Sequence, residues 1–215
     1  MAHIHPTAIV DKKAHIADNV TIGPFSIIEN DVVIDEGTII GSHVVVCNGA
    51  RIGQDCKIHK GAIIASIPQD LKFNGEESLF LIGDHTTIRE FATLNRGTSE
   101  LGKSQIGRHC LLMAYTHVAH DCIVGDNVIM ANGVQLGGHV EIHDFAIIGG
   151  MTPVHQFCKI GAHCMVGGGY RVVQDVPPYI TVTGEPLRYA GLNAVGLRRR
   201  GFDANTMLLL KRAYR

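Results

Sequence analysis

The chain has no tryptophan, and only 6% of its 215 residues are aromatic. A core built on large rings is thereby excluded, so the interior must be aliphatic. Net charge is −1, which excludes the broad basic surface of a nucleic-acid binder. No stretch approaches the run of about 18 apolar residues that a membrane span requires. The first ten residues, MAHIHPTAIV, lack the basic and apolar regions of a secretory signal, so a cytoplasmic location is expected. The six cysteines contain no C-x-x-C pair, which argues against a zinc or redox motif, and a cytosolic compartment disfavours disulfides.

One residue class recurs every six positions. Stepping by six from Ile4 to Val172 meets Ile, Val, Leu or Met in 26 of 29 slots. Neither an α-helix nor an ordinary strand has this period. Six is the period of a parallel β-helix of hexapeptide repeats, in which three short strands make one triangular coil and residues 18 apart stack. Cys56, Cys110, Cys122, Cys158 and Cys164 fall four residues after a repeat aliphatic, in a slot shared with Ala8, Ala62 and Thr116. They are expected to pack as small buried residues.

Three slots fail, at Asp70, Glu76 and Glu100. Loops are therefore expected over about 65–81 and 95–105, projecting from a rigid scaffold. After Val172 the repeat stops, and VPPY at 176–179 is expected to end the ladder because proline lacks the N–H donor. Residues 180–192 read as a crossing segment. Asp203 is placed to cap a helix over 204–215, with Phe202 and Met207 spaced for a staple-like contact. The expected division is a β-helix over 1–192 and, over 193–215, the start of a helical domain that the chain cuts short.

Histidine is abundant, at 13 residues. Coil geometry places His120, Gly138 and Gln156 in one column, and Asp121, His139 and Phe157 in the next. Gly138 would then lie about 4.8 Å from His120 along the stack, opening a gap beside the imidazole and exposing a backbone N–H. A general base beside an oxyanion donor suits acyl transfer. Asp121 can pair with His120 only if a turn separates them, since neighbours in a strand point oppositely. Zinc is the first rival, as in carbonic-anhydrase-like hexapeptide enzymes. Those carry a histidine pair five residues apart, a spacing absent here; no metal or cofactor is expected. A nucleophile mechanism is weaker, since Cys122 falls in a packing slot and no Ser stands in a G-x-S-x-G context. GLRRRGF (196–202) is the one dense basic cluster; it is a solvated patch or a phosphate-recognition element.

The segments IPQDLKFNGE, HVAHDCIVGD, LGGHVEI, DFAIIGGMTPVHQFCKIGAHCMVGG, QDVPPY and GLRRRGF together resemble the UDP-N-acetylglucosamine O-acyltransferases that begin lipid A synthesis. The resemblance runs over essentially the whole chain. It implies a left-handed parallel β-helix with a C-terminal helical segment, working as a homotrimer with sites between subunits. It implies transfer of a (3R)-hydroxyacyl group from acyl carrier protein to the glucosamine 3-hydroxyl of UDP-N-acetylglucosamine. His120 would be the general base, Asp121 would orient it, and the Gly138 N–H would hold the oxyanion. Asp70, Lys72, His117, His139, His155, Gln156, Asn193, Arg199 and Arg200 would bind substrate. Gly168 matches an acyl-length ruler, and glycine there implies a longer chain. Val195 stands where the family usually has glutamate, and GEPLRYAGLN (184–193) also departs from its pattern. Transfer to a 3-amino sugar and a non-catalytic hexapeptide scaffold are the alternatives.

Overall fold

The computed structural model describes residues 1–214. Short strands, mostly two residues long, run in three parallel sheets that form the faces of a triangular prism. Strands three apart in the chain pair in register, as in Ile22 with Ile40 and Val118 with Leu136. The repeat aliphatics point inward and stack as ladders. Ile22, Ile28, Ile34, Ile64, Leu94, Leu112, Val124, Met130 and Ile148 are all buried. Each such burial stabilises by about 1.5–3 kcal/mol, which one coil alone cannot accumulate. Ile4, in the first coil, is 45% exposed, its one ladder neighbour being Ile22.

Both insertions preserve the phase. Ile58 pairs with Ile88, and Ile88 with Leu112, so these coils run 30 and 24 residues rather than 18. Both lengths are whole multiples of six, so the inward face is never lost. The strands reach further into the inserted segments than the failed slots implied, spanning Ile63–Ser66, Leu79–Ile82 and Lys103–Ile106.

The C-terminal part differs from expectation in three ways. Val176 still bridges Ile160 in parallel, and its N–H reaches the Lys159 carbonyl. The ladder continues because Pro177 and Pro178 fall at the following turn, where no ladder donor is needed. Residues 180–192 are not a crossing segment but an antiparallel hairpin of Ile180–Thr183 and Arg188–Leu192, whose first strand extends the ladder from Met165–Val166. Finally, two helices follow where one was expected: α1 (Ala194–Arg199) and α2 (Ala204–Ala213). Asp203 caps α2 by accepting the Thr206 N–H at 2.9 Å.

Asn193 caps α1, accepting the Gly196 N–H and donating its amide to the His163 carbonyl at 2.9 Å. It is buried. Asn193→Ala removes both the cap and that bond, and is expected to destabilise by about 1–2 kcal/mol. A thermal melt checks this.

Candidate active site

The chain turns most corners of the prism through a residue with positive φ, often a non-glycine. At the corner between the faces carrying His117–Val118 and Ile123–Val124, these residues are Asp121 (φ 57°), His139 (φ 60°) and Phe157 (φ 67°). The left-handed backbone supplies the turn that His120 and Asp121 require. It swings Asp121 alongside its neighbour, and His120 Nδ1 lies 2.8 Å from Asp121 Oδ2.

Asp121 is buried. Burial works to raise its carboxyl pKa, but hydrogen bonds from His120 and from the Thr98 side chain and backbone outweigh it and hold the pKa below the usual range. With Asp121 ionised, Nδ1 of His120 must be the protonated nitrogen, which leaves a lone pair on Nε2. Gly138 sits against that edge. A Cβ added there would lie 2.7 Å from both Cε1 and Nε2 of His120. Among the described residues the Gly138 N–H donates to no partner.

His139 packs edge-on to His120 at 5.1 Å and stacks on Phe157 at 4.7 Å. Its Nε2 lies 3.2 Å from Glu100 Oε2 and 3.8 Å from Asp121 Oδ2. His120, Asp121 and His139 come closest to a metal-binding set, with one ligand atom each inside 4.8 Å. The Asp121 oxygens are already occupied. Oδ1 accepts from the Thr98 N–H, while Oδ2 accepts from the Thr98 hydroxyl and from His120. The donor set is therefore committed to a hydrogen-bonded network.

The two inserted loops close over this corner. A cavity of about 610 Å³ is bounded by Asp70, Lys72, Phe73, Glu76, Thr98, Glu100, His120, His139, Gln156 and Phe157. Asp70, Lys72, His120, His139 and Gln156 thus share one cavity. His155 is exposed on the same corner, its Nδ1 bonded to the Gln156 carbonyl at 3.1 Å. His117 lies on the adjoining face, its ring held by the Thr93 hydroxyl at 2.8 Å, with burial pushing its pKa down.

The other residues expected to bind substrate lie elsewhere on the prism. Gly168 is exposed at the next corner back, following Met165–Val166. Asn193 is anchored to His163, and Arg200 lies over the Phe145 ring at 5.0 Å, both at the third corner; Arg199 is in α1 beside them. Within one chain these groups do not meet the His120 cavity.

Thr98, Glu100 and Phe157 line the cavity without being singled out by the repeat. The coil spacing puts Phe157 in the column of Asp121 and His139, but Thr98 and Glu100 sit in an insertion, where six-residue spacing carries no positional information. The buried cysteines follow the packing expectation. Burial pushes the Cys122 thiol up to about 12, and it donates to the Gly137 carbonyl, so it is not a thiolate nucleophile at neutral pH.

Family models match at two levels. One described as bacterial transferase hexapeptide (six repeats) covers residues 13–48 and 103–138. One described as UDP-N-acetylglucosamine O-acyltransferase, domain 2, covers residues 175–215. A relative from Thiobacillus denitrificans, an acyl-carrier-protein-dependent UDP-N-acetylglucosamine O-acyltransferase, is 52% identical over all of this chain and 84% of its own length. The solved UDP-N-acetylglucosamine acyltransferases of Bacteroides fragilis and Francisella novicida are 44% and 41% identical, each with a TM-score of 0.97. Both alignments cover 98% of this chain, and 83% and 78% of the respective solved chains.

Proposed function

This chain belongs to the UDP-N-acetylglucosamine O-acyltransferase family, and from that membership we propose a reaction for the His120 cavity. It moves a (3R)-hydroxyacyl group from acyl carrier protein to the 3-hydroxyl of UDP-N-acetylglucosamine, the opening step of lipid A synthesis. The reaction is assigned to the cytoplasm. No helix among the described residues is long and apolar enough to cross a membrane.

One observation carries the mechanism: His120 is anchored through Nδ1 to a buried carboxylate while Nε2 faces the space that Gly138 leaves open. Nε2 takes the proton of the sugar 3-hydroxyl as its oxygen attacks the thioester carbonyl carbon. The resulting oxyanion accepts from the Gly138 N–H. Collapse re-forms the carbonyl and breaks the carbon–sulfur bond, and His120 returns its proton to the leaving sulfur. Asp121 stabilises the imidazolium in between. Asp70 and Lys72, with His139, His155 and Gln156, hold the sugar nucleotide. His117 lines the approach to the reacting group.

Gly168, Asn193, Arg199 and Arg200 stand at other corners, which favours a trimer in which a neighbouring copy brings them to this cavity. Arg199 and Arg200 then meet the nucleotide, with Asn193 beside them. Gly168 bounds the acyl groove, where the absence of a side chain leaves room for a long chain. The test offers purified protein carrier-bound (3R)-hydroxyacyl donors of graded length, with UDP-N-acetylglucosamine or its 3-amino analogue, and identifies products by mass spectrometry. The 3-O-acyl product, with the longer donors preferred, is expected. Preference for the amino sugar, or no transfer at all, would overturn the reading.

A further inference from the structure

We propose that Thr98 is a positioning residue for this reaction, clamping the Asp121 carboxylate so that His120 is held with Nε2 toward the cavity. The Thr98 N–H reaches Asp121 Oδ1 at 3.0 Å, and its hydroxyl reaches Oδ2 at 2.7 Å. Each oxygen is gripped separately, so the plane of the carboxylate is fixed. That matters because the terminal torsion of aspartate is soft and broad. Free rotation would carry Oδ2 away from His120 Nδ1, and the imidazole would lose its anchor.

Thr98 is itself well fixed. It is buried, and its hydroxyl also accepts the Glu100 N–H at 3.3 Å. Its carbonyl accepts the Gly102 N–H at 2.7 Å, closing the loop on itself. Gly97 precedes it with no room for a side chain, since an added Cβ would meet the Lys103 backbone at 2.3 Å. The next residue, Ser99, donates its N–H to Glu76 of the first loop at 3.2 Å. The insertion thus delivers one rigid two-point donor to the base of the dyad, and ties that donor to the loop carrying Asp70 and Lys72.

Other ionisable groups face the dyad. His139 approaches Asp121 Oδ2 at 3.8 Å and carries Glu100 on its Nε2. Asp70, Lys72 and Glu76 line the cavity, and Cys122 follows Asp121 in the chain. None of these replaces the Thr98 hydroxyl, since among the described residues only Thr98 and His120 are bonded to the carboxylate at 3.0 Å or less.

The proposal rests on His120 being the general base, so His120→Ala is measured alongside. Thr98→Val keeps the volume and the backbone N–H but removes the hydroxyl. Its kcat is expected to fall about tenfold, the effect of one lost charge-assisted hydrogen bond, with KM for the sugar nucleotide within about twofold. Without the hydroxyl the carboxylate is free to turn away from Nδ1, so Asp121 supports the protonated imidazole less strongly. The acidic limb of the kcat/KM profile should therefore move to lower pH. Thr98→Ser, which restores the donor, should recover both the rate and the limb. A role confined to loop stability would lower the amount of active enzyme without moving the limb.

If Thr98→Val does not fold, Thr98→Ala and Thr98→Ser are compared in the same assays. An unmoved limb in the hydroxyl-free variant, or a serine variant as impaired as that variant, would overturn the clamp. Full turnover by His120→Ala would instead overturn the base assignment, whatever Thr98 does.

Discussion

His120→Ala is expected to lower kcat by about a thousandfold or more while the protein keeps its fold. His120 lies on a corner, and the ladders of Val118 and Val124 on either side of it do not need its ring. Removing the imidazole deletes the proposed proton acceptor and, later, the proposed donor to the leaving sulfur. General acid–base catalysis contributes about 10²–10⁴-fold, and one group serving both steps belongs at the upper end. The Gly138 N–H and the binding contacts remain, so some transfer above the uncatalysed rate should persist. The experiment measures kcat and KM for both substrates beside a thermal melt. A collapse of rate accompanied by a collapsed melting transition would point to misfolding and count against the catalytic assignment.

Gly138→Ala should be nearly as damaging for a different reason. Gly138 lies outside the left-handed region, so alanine suits its backbone and stability should hold or rise slightly. The added methyl carbon, however, would stand 2.7 Å from Cε1 and Nε2 of His120. Ordinary carbon contacts need about 3.5–4.0 Å, so the ring must retreat by about 1 Å. Displacing a reacting group that far costs about a hundredfold in rate. The backbone N–H survives the change, so crowding of the base is the dominant effect. In the His120→Ala background there is no ring to displace, and adding Gly138→Ala should then do little. Kinetics of the two single variants and the double variant measure this. Equal penalties in both backgrounds would mean that Gly138 acts independently of His120.

Some of this site is written plainly in the chain. The step of 18 residues aligns His120 with Gly138 and Gln156 because paired strands in a β-helix are one coil apart, and that relation holds wherever the core ladder is unbroken. The failed slots at Asp70, Glu76 and Glu100 mark where the chain leaves the prism. The period is silent about what happens once it has left. Thr98 reaches Asp121 through a loop path with no repeat, so nothing in its spacing announces the contact. The meeting of Asp121 with His120 depends on a left-handed φ that aspartate adopts without glycine's help, and composition does not reveal it. VPPY shows the opposite failure: the missing donors of Pro177 and Pro178 are real, but they fall at a corner where no ladder bond is made. Asn193 likewise has duties, capping α1 and holding His163, that a binding assignment alone would overlook.

The two-residue strands also bear on how the protein stays a discrete particle. A parallel stack leaves unsatisfied backbone groups at its ends, and an open sheet edge is a template on which further chains can seed and polymerise. At the amino-terminal end the exposed edges are His3–Ile4, Ile9–Val10 and His15–Ile16. Each runs along a different face, and none is long enough for an incoming strand to zip more than a couple of hydrogen bonds before the direction changes. Lys12 and Lys13 stand exposed between two of them, and the terminal ammonium is paired with Asp18 at 2.8 Å. The same short strands and sharp corners that bring His120 and Asp121 together therefore make these edges a poor seed.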